Sequence, residues 1–280
     1  MLVLVVVLLL DLLGFCLEKR SDVSASILFC HCDAGDIHAF EDDDEHENED
    51  DFSTSVFRLN YLVTGTDTGV GKTFVTSGLV RSSRSKGIDA VGMKAIRTGD
   101  NLDVQKLREA CDSCEPEFVL NPVWFRTPVA PYTASLIEDR QIDLDALRNA
   151  FAHLAQRHAH VLVEGAGGIA VPIRADFDFR DLARDLQLEV VVVAANRLGV
   201  LNHVRLTEES IRTAGLRCRA IVLNTVQPDS DISQPTNHSV LESLIDVPVL
   251  SVEHGQTEFS ALAGLLGWYA KRPRFAPEVE

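Results

Sequence analysis

The chain has 280 residues, of which 46% are hydrophobic and 24% charged, and its formal net charge at pH 7 is −16. This composition is too apolar for an intrinsically disordered protein, and the acidic charge disfavours general binding to nucleic acid. Six cysteines without regular spacing do not form a disulfide framework, which favours a reducing, cytoplasmic location.

Residues 1–56 differ in composition from the rest of the chain. Leu2–Leu10 is an unbroken aliphatic run that is followed by Asp11, and nine of the eleven residues in Glu41–Asp51 are acidic. The run is shorter than a membrane-spanning helix, and no Lys or Arg precedes it as in a secretion signal. The acidic stretch should repel itself and stay solvated. We therefore expect no membrane partner, and we expect residues 1–56 to lie outside a single domain formed by residues 57–280.

From Phe57 onward, short β-branched runs alternate with helical stretches. The predicted strands are Leu59–Thr64, Ala90–Met93, Val161–Val163, Val190–Ala194, Ala220–Leu223 and Val247–Leu250. The predicted helices are Phe74–Lys86, Leu144–His158, Phe179–Leu186, Asn202–Ala214 and Val240–Ile245. Such alternation of apolar strands with helices is typical of a parallel sheet covered on both faces. We predict an α/β fold with a doubly wound, mainly parallel sheet, whose ligands bind at the carboxyl ends of the strands.

The first predicted strand leads into a glycine-rich loop that precedes a helix. The loop reads Gly65-Thr66-Asp67-Thr68-Gly69-Val70-Gly71-Lys72-Thr73. Its glycines allow a turn whose N–H groups cradle phosphate oxygens, and the helix N-terminus adds the positive end of its dipole. Lys72 can reach the β- and γ-phosphates, and the Thr73 hydroxyl can bind Mg2+. Five residues separate Gly65 from Gly71, where the common pattern has four. An ordinary glycine turn is the alternative, but Gly-Lys-Thr between a strand and a helix favours a P-loop NTPase-like site.

An acidic residue follows the predicted strand Val161–Val163. Glu164 stands beside the glycine turn Gly165–Gly168, where a ligand can approach closely. Its carboxylate could bind Mg2+ directly or through water, although a solvated glutamate in a strand-ending turn is the alternative.

Two asparagines bear on the choice of nucleotide. Asn196 opens a segment that lacks the aspartate of the Asn-Lys-x-Asp element, with which GTPases bind guanine. ATP is therefore the expected nucleotide. The Asn224 amide, which ends another strand, can both donate to and accept from the adenine edge.

Five segments together resemble the dethiobiotin synthetase family over roughly residues 58–250. They are Gly65–Thr73 with its extra loop residue, Lys94–Gly99, Val163–Gly168, Leu198–His203 with Leu206 and Thr207, and Val222–Asn224. The resemblance implies an ATP- and Mg2+-dependent ligase of biotin synthesis, which closes the ureido ring of dethiobiotin from 7,8-diaminononanoate and CO2. It also implies a homodimer that binds the substrate carboxylate across the interface, near the start of the helix at Leu198–His203.

The resemblance also implies roles for individual residues. Lys94 and Lys72 would be catalytic, and Thr98 would contact the substrate. The metal would be held by Thr73, Asp103 and Glu164, with Asp100 as an alternative to Asp103. The nucleotide-binding residues that it implies are Gly69, Val70, Gly71, Lys72, Thr73, Phe74, Asp103, Glu164, Gly165, Ala166, Gly167, Asn224 and Thr225.

Three departures from the family pattern keep other functions open. Ala95 stands where the family usually has proline, which predicts a less rigid loop at Lys94. Gly69 occupies a position that is often glutamate, and Ser251–His254 does not match the usual chain end. A nucleotide-binding relative without catalysis is compatible with these changes. A partition- or positioning-type ATPase switch would share the fold, but it carries an extra lysine where this chain has Asp67.

Two cysteine pairs resemble half of a zinc site. They are Cys30-His31-Cys32 and Cys111-Asp112-Ser113-Cys114. Because nothing completes a four-ligand set at a suitable spacing, we interpret them as surface or packed thiols.

Overall fold

Ten strands and nine helices lie within residues 59–228 and 231–269, which the computed structural model describes. The strands are β1 (Tyr61–Gly65), β2 (Ala90–Lys94), β3 (Ile96–Thr98), β4 (Val123–Phe125), β5 (His160–Gly168), β6 (Pro172–Arg174), β7 (Phe177–Asp178), β8 (Glu189–Ala195), β9 (Cys218–Asn224) and β10 (Val249–Val252). The helices are α1 (Lys72–Arg84), α2 (Leu102–Ala110), α3 (Glu117–Leu120), α4 (Pro131–Ile137), α5 (Leu144–Arg157), α6 (Phe179–Asp185), α7 (Val200–Thr213), α8 (Gln234–Leu244) and α9 (Ser260–Leu265).

Six of these strands form one parallel sheet in the order β10-β9-β8-β1-β5-β2. The chain places β2 and β5 on one side of β1 and then crosses to the other side for β8, β9 and β10. Ligands of such sheets bind at the carboxyl ends of the strands, close to this reversal. The remaining strands pair as β3-β4 and β6-β7 outside the main sheet. The predicted α/β fold with a doubly wound parallel sheet is confirmed.

The core explains why the strands are almost continuously apolar. Every residue of β1 and β2 is buried, and Val190–Ala194 of β8 is at most 1% exposed. A parallel sheet is covered on both faces, so that alternation of polar and apolar residues is lost. In α5, Leu144, Leu147 and Leu154 are buried, and each such side chain contributes about 1.5–3 kcal/mol to burial free energy. The covered sheet holds the carboxyl ends of its strands in fixed positions.

Most predicted elements are present, with shifted ends. Strand β5 extends to Gly168, beyond the predicted Val161–Val163, because its glycine segment continues the ladder with β1 as far as the Gly65–Gly168 pair. Helix α8 starts at Gln234 instead of Val240, since Pro235 in its first turn is compatible with a helix. Strand β10 ends two residues later than predicted.

The structure bears on the membrane expectation but not on the expectation about residues 1–56. The prediction that residues 1–56 lie outside the fold concerns residues outside those ranges. Within residues 59–228 and 231–269, no helix combines the length and apolar character that crossing a bilayer requires.

Candidate active site

The glycine-rich loop joins β1 to α1 and is shaped by close contacts. Gly71 has a φ of 93°, in the left-handed region that favours glycine. A Cβ atom added at Gly71 would lie 2.0 Å from Nδ2 of Asn224, so a side chain could not fit there. Lys72 is buried, and its Nζ donates to the backbone carbonyl of Asp67 at 3.0 Å. The loop therefore folds over the Lys72 side chain at the N-terminus of α1.

Four polar side chains form a cluster beside this loop. Lys94 is the last residue of β2 and lies in register with Glu164 of β5, so that their side chains meet where β2 ends. Lys94 Nζ donates to Glu164 Oε1 at 2.6 Å and to Asp103 Oδ2 at 2.7 Å. Thr73 Oγ1 donates to the same Glu164 oxygen at 2.7 Å. Glu164 is fully buried, and buried charges of this kind require several close partners.

Burial and neighbouring charges set the protonation states of this cluster. Burial, followed by the charge of Lys94, lowers the pKa of Lys72 to about 8. Burial also disfavours the charged form of Lys94, but Glu164 and Asp103 outweigh it and raise the pKa of Lys94. Burial alone would raise the pKa of Asp103, and Lys94 lowers it below its usual value. Near neutral pH, Lys94 is therefore a cation and Asp103 an anion, whereas Lys72 titrates close to physiological pH.

The cluster and the loop line one cleft of about 310 Å3, the phosphate cleft. Its lining residues are Thr68, Gly69, Gly71, Lys72, Thr73, Phe74, Lys94, Asp103, Lys106, Glu164, Ala166 and Gly167. Most of the residues predicted for nucleotide and metal binding thus meet in one place. Asp100, the alternative acid, is exposed and accepts the backbone N–H of Leu102 at 3.1 Å instead.

A second cavity of about 330 Å3, the side pocket, lies on the other side of the same loop. It is lined by Thr68, Gly69, Val70, Ala195, Asn196, Arg197, Val226, Gln227, Asp231 and Gln234. Thr68 and Gly69 line both cavities. A nucleotide could therefore place its phosphates in the phosphate cleft and its base in the side pocket.

Four predicted site residues line neither cavity. Gly165 is buried, and a Cβ there would lie 3.3 Å from the Phe179 ring. Thr98 is half-buried at the end of β3, and Thr225 donates its backbone N–H to Val252.

Asn224, the fourth of them, already makes one side-chain hydrogen bond. Its Nδ2 donates one of its two hydrogens to the Val70 carbonyl at 2.9 Å, so that half of the donor capacity of the amide is already used. Its Oδ1 is buried and has no hydrogen-bond partner within the described ranges. The Oδ1 atom and the second hydrogen of Nδ2 are therefore the groups of this amide that remain for a hydrogen bond.

At Ala95, hydrogen bonds restrict the backbone where the family usually has a proline. It is fully buried, and its N–H donates to the Glu164 carbonyl at 3.0 Å, which a proline could not do. Asn121 Nδ2 donates to the carbonyl of Lys94 at 3.1 Å. The backbone is thus held on both sides of the peptide bond between Lys94 and Ala95.

The oxygen groups of the cluster suit Mg2+. The Thr73 hydroxyl and the carboxylates of Asp103 and Glu164 are hard ligands, and Glu164 Oε2 is buried with no partner among the described residues. Mg2+ is usually held by one or two carboxylates together with phosphates and water. No group of three or more His, Cys, Asp or Glu side chains suited to a metal occurs in the described ranges, which include Cys111 and Cys114 but not Cys30.

Sequence reasoning missed two residues of the phosphate cleft, Thr68 and Lys106. Lys106 lies on α2, which was not predicted. The apolar spacing of Val104, Leu107 and Cys111 is that of one helix face and could have revealed this helix.

Residues 60–253 match a protein family described as an AAA domain. The chain is also similar to ATP-dependent dethiobiotin synthetases. It is 41% identical over 198 residues to that of Akkermansia muciniphila, covering 70% of this chain and 93% of the relative. It is 46% and 42% identical to those of Anaeromyxobacter dehalogenans strains 2CP-1 and 2CP-C. These matches cover 65% and 74% of this chain, and 84% and 94% of the two relatives.

Proposed function

The chain belongs to the ATP-dependent dethiobiotin synthetase family, and we propose that its phosphate cleft forms dethiobiotin from 7,8-diaminononanoate, CO2 and ATP. As a member of this family it is an ATP-dependent ligase of biotin synthesis that closes the ureido ring, which confirms the function predicted from the sequence. The observation that carries the proposal is that Lys72 of the loop and the cluster of Lys94, Asp103 and Glu164 line one cleft. The partition-type ATPase is less favoured, because Asp67 occupies the place of its extra lysine.

In this proposal the loop and α1 bind the phosphates of ATP. The N–H groups at the start of α1 point toward the phosphate oxygens, with the positive end of the helix dipole behind them. Lys72 exchanges its hydrogen bond to the Asp67 carbonyl for the β- and γ-phosphates. Thr73, Asp103 and Glu164 would hold Mg2+, which supplies positive charge against the triphosphate when it is bound.

The chemistry has two steps, and the first of them requires fixed positive charge. One substrate amine takes up CO2 as a carbamate, and a carbamate oxygen attacks the γ-phosphorus while the bond to ADP breaks. Because both partners are anions, preorganised cations must offset their repulsion. Lys94 fits this role, since Glu164 and Asp103 hold it in place and raise its pKa. The second amine then attacks the carbonyl carbon and displaces phosphate, a step that mainly requires positioning.

Substrate binding is proposed to involve Thr98 and a second copy of the chain. Thr98 lies four residues after Lys94 and is half-buried. The first turn of α7 follows Gly199 and has no side-chain cap, so its free N–H groups suit a carboxylate. Leu198 and Leu206 beside it are 77% and 58% exposed, which leaves apolar surface that a homodimer would cover.

We also propose a cytoplasmic location. Cys111, Cys114 and Cys218 are free thiols, which a reducing compartment maintains.

The direct test is product formation by the purified full chain. Supplied with ATP, MgCl2, bicarbonate and 7,8-diaminononanoate, it should yield the cyclic urea, detected by mass spectrometry, together with one ADP per product. Omission of ATP or of the diamine should abolish the product. ATP hydrolysis at an equal rate without the diamine, and no cyclic urea, would instead indicate a switch-type ATPase.

The unpartnered Oδ1 of Asn224 predicts a preference for ATP over GTP of at least about tenfold in Kd, since leaving a buried polar group unmatched costs about 1–3 kcal/mol. Asn224 Oδ1 can accept from the adenine amino group, whereas guanine presents an acceptor at the same position. Calorimetry with both nucleotides measures the ratio of the two Kd values.

The matched variants are Asn224→Ala and Asn149→Ala, which removes an exposed amide on α5. Asn224→Ala should weaken the binding of both nucleotides, because the Val70 carbonyl loses its donor. It should also reduce the ratio of the Kd for GTP to the Kd for ATP. Asn149→Ala should leave both Kd values unchanged. Equal or tighter binding of GTP by the unaltered protein would contradict this assignment.

A further inference from the structure

Helix α2 brings a third lysine into the phosphate cleft. Asp103 and Lys106 are three residues apart on this helix and therefore lie on the same face. The adjacent, buried face of the helix is anchored on β2, where Leu107 packs so closely that a Cβ on Gly92 would lie 2.8 Å from its Cδ2 atom. This packing fixes the helix at the carboxyl end of β2, and Lys106 lines the cleft together with Lys72 and Lys94.

The three lysines differ in what holds them. Lys94 is bound by two carboxylates, and Lys72 by a loop carbonyl. Lys106 is exposed, and its side chain makes no salt bridge or hydrogen bond within residues 59–228 and 231–269. Its charge still acts on the cluster: burial alone would raise the pKa of Asp103, whereas Lys94 foremost, and also Lys106, lower it. Lys106 is thus a cation at the cleft that is free to turn toward an incoming anion.

The charges in the cleft indicate which anion this is. The positive charges of Lys72 and Lys94 are matched by the carboxylates of Asp103 and Glu164. A triphosphate and a carbamate add several further negative charges, which a single Mg2+ does not balance. The loop and Thr73 place the β- and γ-phosphates at this end of the cleft. A lysine on a flexible four-carbon stem can follow a group that moves between two oxygens.

We propose that Lys106 binds the γ-phosphoryl group of ATP and stays with it as it passes to the carbamate and leaves as inorganic phosphate. Lys106 donates hydrogen bonds and gives up no proton in these steps. The inference rests on the proposed function of the cleft, and it adds a catalytic residue that follows neither from the loop pattern nor from the buried cluster.

The test compares ligands with and without a γ-phosphate. Calorimetry in MgCl2 with ADP and with β,γ-imido ATP is performed on the full chain and on Lys106→Ala. We expect the Kd of the imido analogue to rise about tenfold, the range of a hydrogen bond to a charged group, and the Kd of ADP to change by less than about twofold. The kcat of ring closure should fall by about tenfold or more, and Lys106→Arg should restore most of both losses.

Arg108→Ala is the matched control, because it removes an equal charge from an exposed position of the same helix that does not line the cleft. Arg108→Ala should change the Kd of neither ADP nor the imido analogue. Equal weakening of ADP and the analogue, or no change in Lys106→Ala, would overturn the proposal. The binding comparison needs no diamine and is therefore independent of the proposed reaction. If the unaltered protein forms no cyclic urea, the proposed reaction is wrong. If Lys106→Ala still weakens binding of the analogue alone, the contact with the γ-phosphate is nevertheless supported.

Discussion

Replacing Lys94 with alanine should reduce the kcat of ring closure by ~10²–10³-fold and leave ADP binding largely intact. In the proposed mechanism Lys94 offsets negative charge on the phosphoryl group during its transfer, so its contribution belongs mainly to the transition state. The proposal assigns the binding of ADP to Lys72, Thr73 and the loop N–H groups instead. Steady-state kinetics and ADP calorimetry separate the two effects.

The structure shows why this variant needs a stability control. Lys94 is nearly buried and bridges Glu164 and Asp103, and removing one partner of a buried ion pair costs roughly 3–5 kcal/mol. Melting temperatures should therefore be measured alongside the rates. The double variant Lys94→Met with Glu164→Gln removes the unpaired charge, so it should recover melting temperature but not activity.

Lys86→Ala provides the matched surface control. It removes a lysine whose partners are Glu258 and Ser260, outside the cleft, and it should retain normal turnover. Near-normal turnover of Lys94→Ala would deprive the proposed mechanism of its central residue, and a switch-type ATPase would then be the better account.

The parts of the site that could be predicted are those encoded locally. The loop from Gly65 to Thr73 is contiguous. Between a strand and a helix, its pattern of glycines, lysine and threonine is typical of a phosphate-binding loop. The meeting of Lys94 and Glu164 follows from a general rule, because parallel strands end at the same edge of a sheet. Their register pairs the two residues directly.

The parts that could not be predicted depend on long-range packing. The side pocket collects residues from the loop, the end of β8 and the segment after β9, and no local pattern relates them. The Asn224 amide illustrates the same limit. Its position at a strand end was predictable, but the use of its donor by the Val70 carbonyl depends on how closely the loop approaches. Lys106 was missed because a single exposed lysine cannot be assigned to a site before the position of its helix is known.

The affinity for ADP should fall about tenfold between pH 7 and pH 9, because Lys72 has a pKa of about 8 in the free protein. Bound phosphates favour the charged lysine and raise its pKa in the complex. Above pH 8, binding must therefore take up a proton, and affinity declines as the free protein loses it. The second ionisation of the phosphate, with a pKa near ~6, is largely complete over this range. Calorimetry at constant MgCl2 measures the Kd at each pH.

Two substitutions of Lys72 separate its charge from its titration. Lys72→Arg stays charged at every pH tested, so its Kd for ADP should not follow this decline. Lys72→Ala should bind ADP ~10²-fold more weakly at pH 7, since it loses charge-assisted hydrogen bonds to two phosphates, and should also show no decline. The Lys106→Ala protein should keep the pH dependence of the unaltered chain.

A decline that persists in Lys72→Arg would assign the titration to another group. Lys94 is not that group, because Glu164 and Asp103 raise its pKa and keep it protonated through pH 9. The opposite shifts of the two lysines follow from their partners: Lys72 faces a neutral carbonyl and another cation, whereas Lys94 lies between two carboxylates. The same cleft thus holds one lysine whose charge depends on a bound phosphate and one whose charge is fixed before the nucleotide arrives.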